Sequence, residues 1–433
     1  MVKQGEGLPA HVWRHQALAR DDVQLRALVP DQAVEAALGV AGTTQADALT
    51  LVLEGYGARS AMGFRAYDVV VDAGTGRAVR EYRPEFEEIT YAELHRRVRA
   101  VASVLRQPDE YRVEPGDFVC ILGFNGSDYV TVDLSCVFVQ GVCVPLQSTM
   151  SNPALKGIFA DTAPTLVAST VADVVLAAEL VAAQNSVRTL VVFDFDERVD
   201  DDRDAVAAAE AILAQSASKA RLVNLSELIA SGGSLAWNPP PPSPEGLERM
   251  ALLLHSSGTT GTPKGVIYTE RMTRREFAPA PNLLPLVRLS FAPLNHGAGR
   301  SSLYGVLAHG GTVYFSPRPD LSMLFEDIRL VRPTDGSFFP RVLEMVYRHY
   351  QGEVARRLGD GEDDEDAVRS EVLAEMRDSF LGDRLCAIRA EEHRPRLRSG
   401  DSSRKVSRSR SSTATERPRL APSPSTTGST AIR

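Results

Sequence analysis

The chain has 433 residues, 43% of them hydrophobic, and 48 Lys+Arg against 56 Asp+Glu give a formal charge of -8. That length accommodates two or three domains, or one large domain with subdomains, and that apolar share can fill sizeable cores. The negative balance gives no general case for a nucleic-acid partner or an anionic membrane.

The start, MVKQGEGLPAHVWRHQALARDD, lacks the apolar centre of a signal peptide. No stretch approaches the roughly 18 apolar residues of a membrane span. A soluble, cytoplasmic protein is expected. The four cysteines, Cys120, Cys136, Cys143 and Cys386, lack metal-ligand spacing. They are expected to be free thiols, buried in a reducing compartment, and no metal site is expected.

Residues 1–85 read as a mixed N-terminal extension, with a helix near 31–38. From residue 86 the pattern sharpens. In "ITYAELHRRVRAVASVL", Thr90 and Glu93 have capping-box spacing. Leu94, Val98, Val101 and Leu105 then share one helical face. "EPGDFVCILGF" gives a turn and a buried strand over 118–122. "SDYVTVDLSCVFVQG" gives a helix, with Gly141 as its expected C-cap, and "VCVPL" is again a strand. The alternation continues with the strand "PTLVAST", a helix over 171–183, the strand "VRTLVVFDF" and a helix over 204–215. Strands alternating with amphipathic helices predict an α/β fold, with parallel-rich sheets flanked by helices on both faces.

"GGSLAWNPPPPSPEG", 232–246, is too rigid and too poor in donors to be either element, and reads as a linker. It leads to the apolar run 250–254 and then to "HSSGTTGTPKG". This is not a Walker A loop, whose spacing differs. Its ingredients are still those of a phosphate cradle. Gly258, Gly261 and Gly265 let backbone amides approach an oxyanion. Ser256, Ser257, Thr259, Thr260 and Thr262 add hydroxyls, and Lys264 adds a mobile positive charge. Lys264 is therefore expected on a mobile loop directly after a strand.

Further on, "RLSFAPLNHGAGRSSLYGVLAHGGTVYFSP" reads strand, loop, helix, strand, and "GSFFPRVLEMVYRHY" reads strand into helix. The acidic turn over 360–366 lacks the order of an EF-hand loop and reads as a solvated turn before an amphipathic helix.

The run from Leu253 through Ser256-Ser257-Gly258-Thr259-Thr260-Gly261 to Pro263-Lys264 resembles the AMP-binding signature of the adenylate-forming superfamily. "DFVCILGFNGSDYVTVDLSCVFVQGVCVPLQSTM" and "FAPLNHGAGRSSLYGVLAHGGTVYF" narrow the resemblance. They look like the N-terminal adenylation domain of carboxylic acid reductases, or mycobacterial-type fatty-acid CoA ligases, over about residues 64–386. The resemblance implies the large N-terminal part of the adenylate-forming fold. It implies ATP with Mg2+ as cofactor, a fatty or aromatic carboxylic acid as substrate, and an acyl-adenylate as product. Ser256 to Gly261 and Lys264 would embrace the ATP phosphates, with Lys264 and His296 as catalytic residues. His296 and Arg300 would line the acyl pocket, where Asn295-His296 departs from the family's usual Ser-His. His296 is expected across the same cleft as the lysine loop.

From residue 389 onward, Arg, Ser and Pro dominate and nothing can bury a core. A disordered tail over 389–433 is expected, leaving 86–388 as an incomplete AMP-binding domain. The codons of 412–420, read two bases out of frame, permit Asp-Gly-Tyr-Gly-Ala-Thr-Glu-Ala, the motif that the family places here. A frame-shifted, truncated chain is the leading expectation. The threonine-glutamate pair, the small lysine-bearing domain, the phosphopantetheine carrier and the NADPH domain would all be missing, and the chain alone would not turn over. The alternatives are a fragment of a stand-alone acyl-CoA or acyl-AMP ligase, and a non-catalytic nucleotide-binding fragment with an Arg/Ser-rich interaction tail.

Overall fold

The structure is a computed structural model and describes residues 10–256, 263–279, 284–359, 364–390 and 431–432. Four helices lead: α1 (Ala10–Asp21), α2 (Val23–Ala27), α3 (Gln32–Leu38) and α4 (Gln45–Gly55). Asp22, Asp31 and Thr44 cap the last three by accepting backbone N–H bonds that the helices leave open. A long antiparallel hairpin follows, β1 (Ser60–Val71) with β2 (Ala78–Thr90). The expected boundary at residue 85 falls inside β2.

The β/α alternation then runs α5 (Tyr91–Leu105), β3 (Phe118–Leu122), α6 (Ser127–Val139), β4 (Val142–Leu146), α7 (Asn152–Thr162), β5 (Leu166–Thr170), α8 (Val174–Ala182), β6 (Thr189–Phe193) and α9 (Asp200–Ala214), as expected except for α7, which the sequence reading passed over. β7 (Arg221–Asn224) and α10 (Leu225–Gly232) complete it.

Three local expectations need correction. Glu93 does not close a capping box: Thr90 accepts its amide, but its carboxylate is taken by Arg96 and Arg97 at 2.7 and 2.8 Å. The reciprocal box stands instead on α4, between Thr44 and Asp47. The left-handed residue ending α6 is Gln140, φ 57°, and Gly141 sits one place beyond it. The Gly141 amide reaches Cys136 O and the Gln140 amide reaches Val137 O, a Schellman pattern. α9 starts at Asp200 rather than 204, because its first-turn aspartates suit the positive helix end and are engaged from β2 and its turn.

After the linker come β8 (Met250–Ser256), β9 (Lys264–Thr269), α11 (Glu270–Arg274), β10 (Val287–Ser290), α12 (Gly297–Leu307), β11 (Thr312–Phe315) and α13 (Leu324–Val331). β12 (Asp335–Phe338), α14 (Pro340–Gly359), α15 (Glu365–Glu375), β13 (Ala387–Ala390) and β14 (Ala431–Ile432) follow. Of the acidic turn, 360–363 lie outside the described residues, and Asp364 caps α15. Apart from 389–390 in β13 and 431–432 in β14, the tail expected from 389 also lies outside them.

The larger sheet has the order β14-β9-β8-β4-β3-β5-β6-β7 and is parallel from β8 to β7. Its two faces are covered by separate apolar clusters. Ile121, Leu252 and Leu254 join the cluster under α5 and α6, while Cys120, Leu122 and Leu253 join the one under α7 and α8. Burial pushes the Cys120 thiol up to about 12, and Cys120, Cys136 and Cys143 are free and buried, with Cys386 half-buried. The smaller sheet has the order β10-β11-β1-β2, and β12 pairs with β13. Among the described residues no helix is long and apolar enough to cross a membrane.

Candidate active site

β8 and β9 are antiparallel neighbours, with Ser256 opposite Lys264 and His255 opposite Gly265. The glycine- and hydroxyl-rich segment therefore joins the two arms of a hairpin. Ser257, Gly258, Thr259, Thr260, Gly261 and Thr262 lie outside the described residues; Ser256 ends β8, and Lys264, expected on the loop, instead begins β9, where it pairs opposite Ser256. Lys264 is exposed, at the strand's first position. The hairpin root is firm: Leu252, Leu253 and Leu254 are buried on alternating faces. At Gly265 a Cβ would lie 3.0 Å from Leu253 Cδ1, so a side chain would crowd the root. Burial holds the half-buried His255 imidazole below its ordinary pKa.

His296 is the exposed N-cap residue of α12. The next residue fixes where this end lies. A Cβ on Gly297 would be 3.6 Å from the Tyr268 hydroxyl on β9 and 3.9 Å from Leu254 Cδ1 on β8. The start of α12 thus stands against the hairpin that carries Lys264. Gly299 admits no side chain, since a Cβ would fall 2.3 Å from Pro293 O. The Gly-x-Gly after His296 therefore has a packing cause: it lets α12 start close against the preceding loop. The His296 side chain makes no capping bond, and α12 presents the positive end of its dipole here.

Arg300, expected to line the acyl pocket, is held in an ion pair. Its guanidinium meets both oxygens of buried Asp133 on α6, at 2.8 and 2.9 Å, and lies 5.2 Å from the Tyr304 ring. The Tyr304 hydroxyl donates to the same carboxylate. Burial alone would lower the Arg300 pKa, but the Asp133 charge outweighs it and holds it above the ordinary arginine value. Arg300 pins α12 to α6 and so helps to fix the position of His296.

A cavity of about 530 Å³ opens where the C-terminal ends of the parallel strands converge. Gly123, Gln147, Thr170 and Asp194 follow or end β3, β4, β5 and β6, and Phe315 ends β11. Ligand crevices of open α/β sheets form at such ends. Tyr67, Arg80 and Tyr82 of the β1–β2 hairpin form another wall. Lys264, His296 and Arg300 do not line it. Asn125 joins the cavity to β10, donating from Nδ2 to Ser290 Oγ at 2.9 Å, and its buried Oδ1 has no partner among the described residues. Nothing in the sequence marked this cavity, because its walls come from separate strand ends.

Two carboxyls, Asp128 and Asp194, face this space. Burial and then each other's charge hold Asp194 above the ordinary aspartate range, and burial does the same for Asp128 despite Arg97 at 3.6 Å. No group of three or more His, Cys, Asp or Glu side chains among the described residues is arranged to hold a metal ion. With a guanidinium beside one member, the Asp128–Asp194 pair does not fit a resident Mg2+ either.

A family model described as "AMP-binding enzyme" matches residues 67–387. The chain is 40% identical over 377 residues to a carboxylic acid reductase of Mycobacterium tuberculosis, covering 86% of this chain and 32% of that protein. It thus spans about a third of the length of that curated relative. The solved adenylation domain of the Segniliparus rugosus carboxylic acid reductase, in complex with AMP and a co-purified carboxylic acid, superposes with a TM-score of 0.82 at 36% identity. That match covers 88% of this chain and 61% of that one. The adenylation domain of a Mycobacterium chelonae carboxylate reductase gives 0.81 at 33% identity, covering 90% and 62%.

Proposed function

The chain belongs to the AMP-binding enzyme family, and from that premise we propose that it supplies the nucleotide- and acid-holding part of a site that activates a fatty or aromatic carboxylic acid with ATP. The observation that carries the reading is the meeting of two elements, the start of α12 with His296 and the β8–β9 hairpin with Lys264. One brings a positive helix end and an imidazole, the other a glycine-rich sequence and an ammonium.

In the proposed reaction Ser256 to Gly261 wrap the polyphosphate, and Lys264 neutralises its β- and γ-phosphate charge. The carboxylate lies beside His296. One carboxylate oxygen attacks the α-phosphorus in line. The acyl O–P bond forms, the bond to the bridging oxygen breaks, and its electron pair leaves with pyrophosphate. Positioning and charge neutralisation carry most of such a transfer. Mg2+ enters with ATP as part of the substrate, and no step is routed through a resident ion. The likeness to reductases extends the proposal to the first half-reaction of acid reduction, activation; transfer to a carrier thiol and reduction by NADPH belong to the relatives' further length.

Equilibrium dialysis with labelled ATP, with and without a fatty or aromatic carboxylate, tests the reading. His296→Ala is expected to weaken retention of the acid about tenfold or more and to leave ATP binding within about twofold. An unchanged acid affinity would remove His296 from the pocket.

A further inference from the structure

We propose that the proline segment between α10 and β8 is a docking ridge for a protein domain that grips polyproline II in an aromatic-lined groove. The proposed activation chemistry has no use for this segment. In "WNPPPPSPEG" each of residues 238–241 precedes a proline, which disfavours the α conformation. Pro239–Pro242 have fixed φ. The stretch thereby favours the left-handed polyproline helix, with three residues per turn.

Exposure follows that period. Trp237, Pro240 and Ser243 are half-buried, whereas Asn238, Pro239, Pro241, Pro242, Pro244 and Glu245 are exposed. One face of the helix leans on the body. The other two carry proline pairs at i and i+3, Pro239 with Pro242 and Pro241 with Pro244. These outward pairs are the ridges that aromatic grooves receive.

The ridge is held in place before any partner arrives. Trp237 lies 4.3 Å under the Arg99 guanidinium and meets Phe138 edge-on at 5.9 Å. Gln140 Nε2 donates to Pro241 O at 3.1 Å. Beyond it, the Gly246 amide donates to Ser243 O at 3.0 Å, and Gly246 turns the chain at φ 55°. Such fixing lowers the ordering cost of binding. A passive connector requires only the inward face, and the two outward proline faces exceed that need.

Charge narrows the partner. Residues 238–248 contain no Lys or Arg, and Glu245 and Glu248 stand exposed beside the prolines. The complementary groove carries a basic rim.

A purified EVH1 domain serves as the probe, titrated against the full chain by calorimetry. Saturable one-to-one binding is expected, with a Kd on the order of 10–100 µM. The pair Pro239→Ala/Pro242→Ala should weaken it at least about tenfold without moving the unfolding temperature. Glu245→Lys should weaken it severalfold. The idea fails if no saturable binding occurs, or if binding survives the double substitution. It also fails if sedimentation shows a ridge-dependent self-association, which would make a second copy of the chain the occupant.

Discussion

The larger sheet and the smaller one are built from different materials. Strands β3 to β6 are buried along almost their whole length, and their neighbours are aliphatic side chains on both faces. The smaller sheet and its surroundings are pinned by buried ion pairs. Arg65 meets Asp327 at 3.0 Å, Arg288 meets Asp335 at 2.9 Å, and Arg300 joins α12 to Asp133. Apolar contact is non-directional and tolerates small shifts, whereas a buried ion pair holds only in one geometry. Strands β3 to β6 at the centre of the larger sheet rest on apolar contact, whereas α12, which carries His296, is also fixed by charge.

The largest expected effect comes from breaking one such pin. Asp133→Ala should cost about 3–5 kcal/mol in urea unfolding, because Arg300 is left buried without its partner. Replacing both residues, Asp133→Leu with Arg300→Met, should recover most of that loss. Were the single change to cost under about 1 kcal/mol, the contrast between the two halves would collapse. In the platform, Ile121→Val should cost only about 0.5–1.5 kcal/mol, the ordinary effect of removing one buried methylene.

The caps give a smaller test. The double change Thr44→Ala/Asp47→Ala removes both bonds of a reciprocal box and should cost about 1 kcal/mol, while Thr90→Ala, which loses one bond, should cost less. Equal losses measured by thermal melts would mean that the second bond of the box adds nothing.

The smallest effect concerns pH. Asp128 and Asp194 are both held above the ordinary aspartate range, so the folded chain binds their proton more tightly than the unfolded chain does. That stabilisation is fully present below about pH 4, the unfolded value, and is lost as pH rises through the raised folded value. Asp194→Asn suits the left-handed backbone at φ 57°. It should therefore raise the melting temperature more at pH 8 than at pH 4.5. An equal gain at both would contradict a raised Asp194 in the folded chain.

The same contrast explains what could be read from the sequence. β3, α6, β4, β5 and β6 were legible because each strand is a short buried run next to the helix that covers it. The smaller sheet was not. β1 finds β11 across more than two hundred residues, pairing Met62 with Val313. β1 and β2 alternate only weakly, since the hairpin is part wall and part solvent-facing. The glycine- and lysine-bearing segment was visible through its composition, and its hairpin form was not, because β9 runs "KGVIYT" with no apolar alternation of its own. Arg300 could be seen beside the His-Gly-Ala-Gly run, but its partner Asp133 lies 167 residues away. Only the folded chain shows that it points inward.

Nucleotide affinity of the intact chain tests the central claim most directly. ATP and AMP should be titrated separately against the parent and against Lys264→Ala. If Lys264 neutralises the β- and γ-phosphates, the variant should lose about tenfold or more in ATP affinity and keep AMP within about twofold. Parallel losses for both nucleotides, or no loss for ATP, would contradict a polyphosphate role for the β8–β9 hairpin.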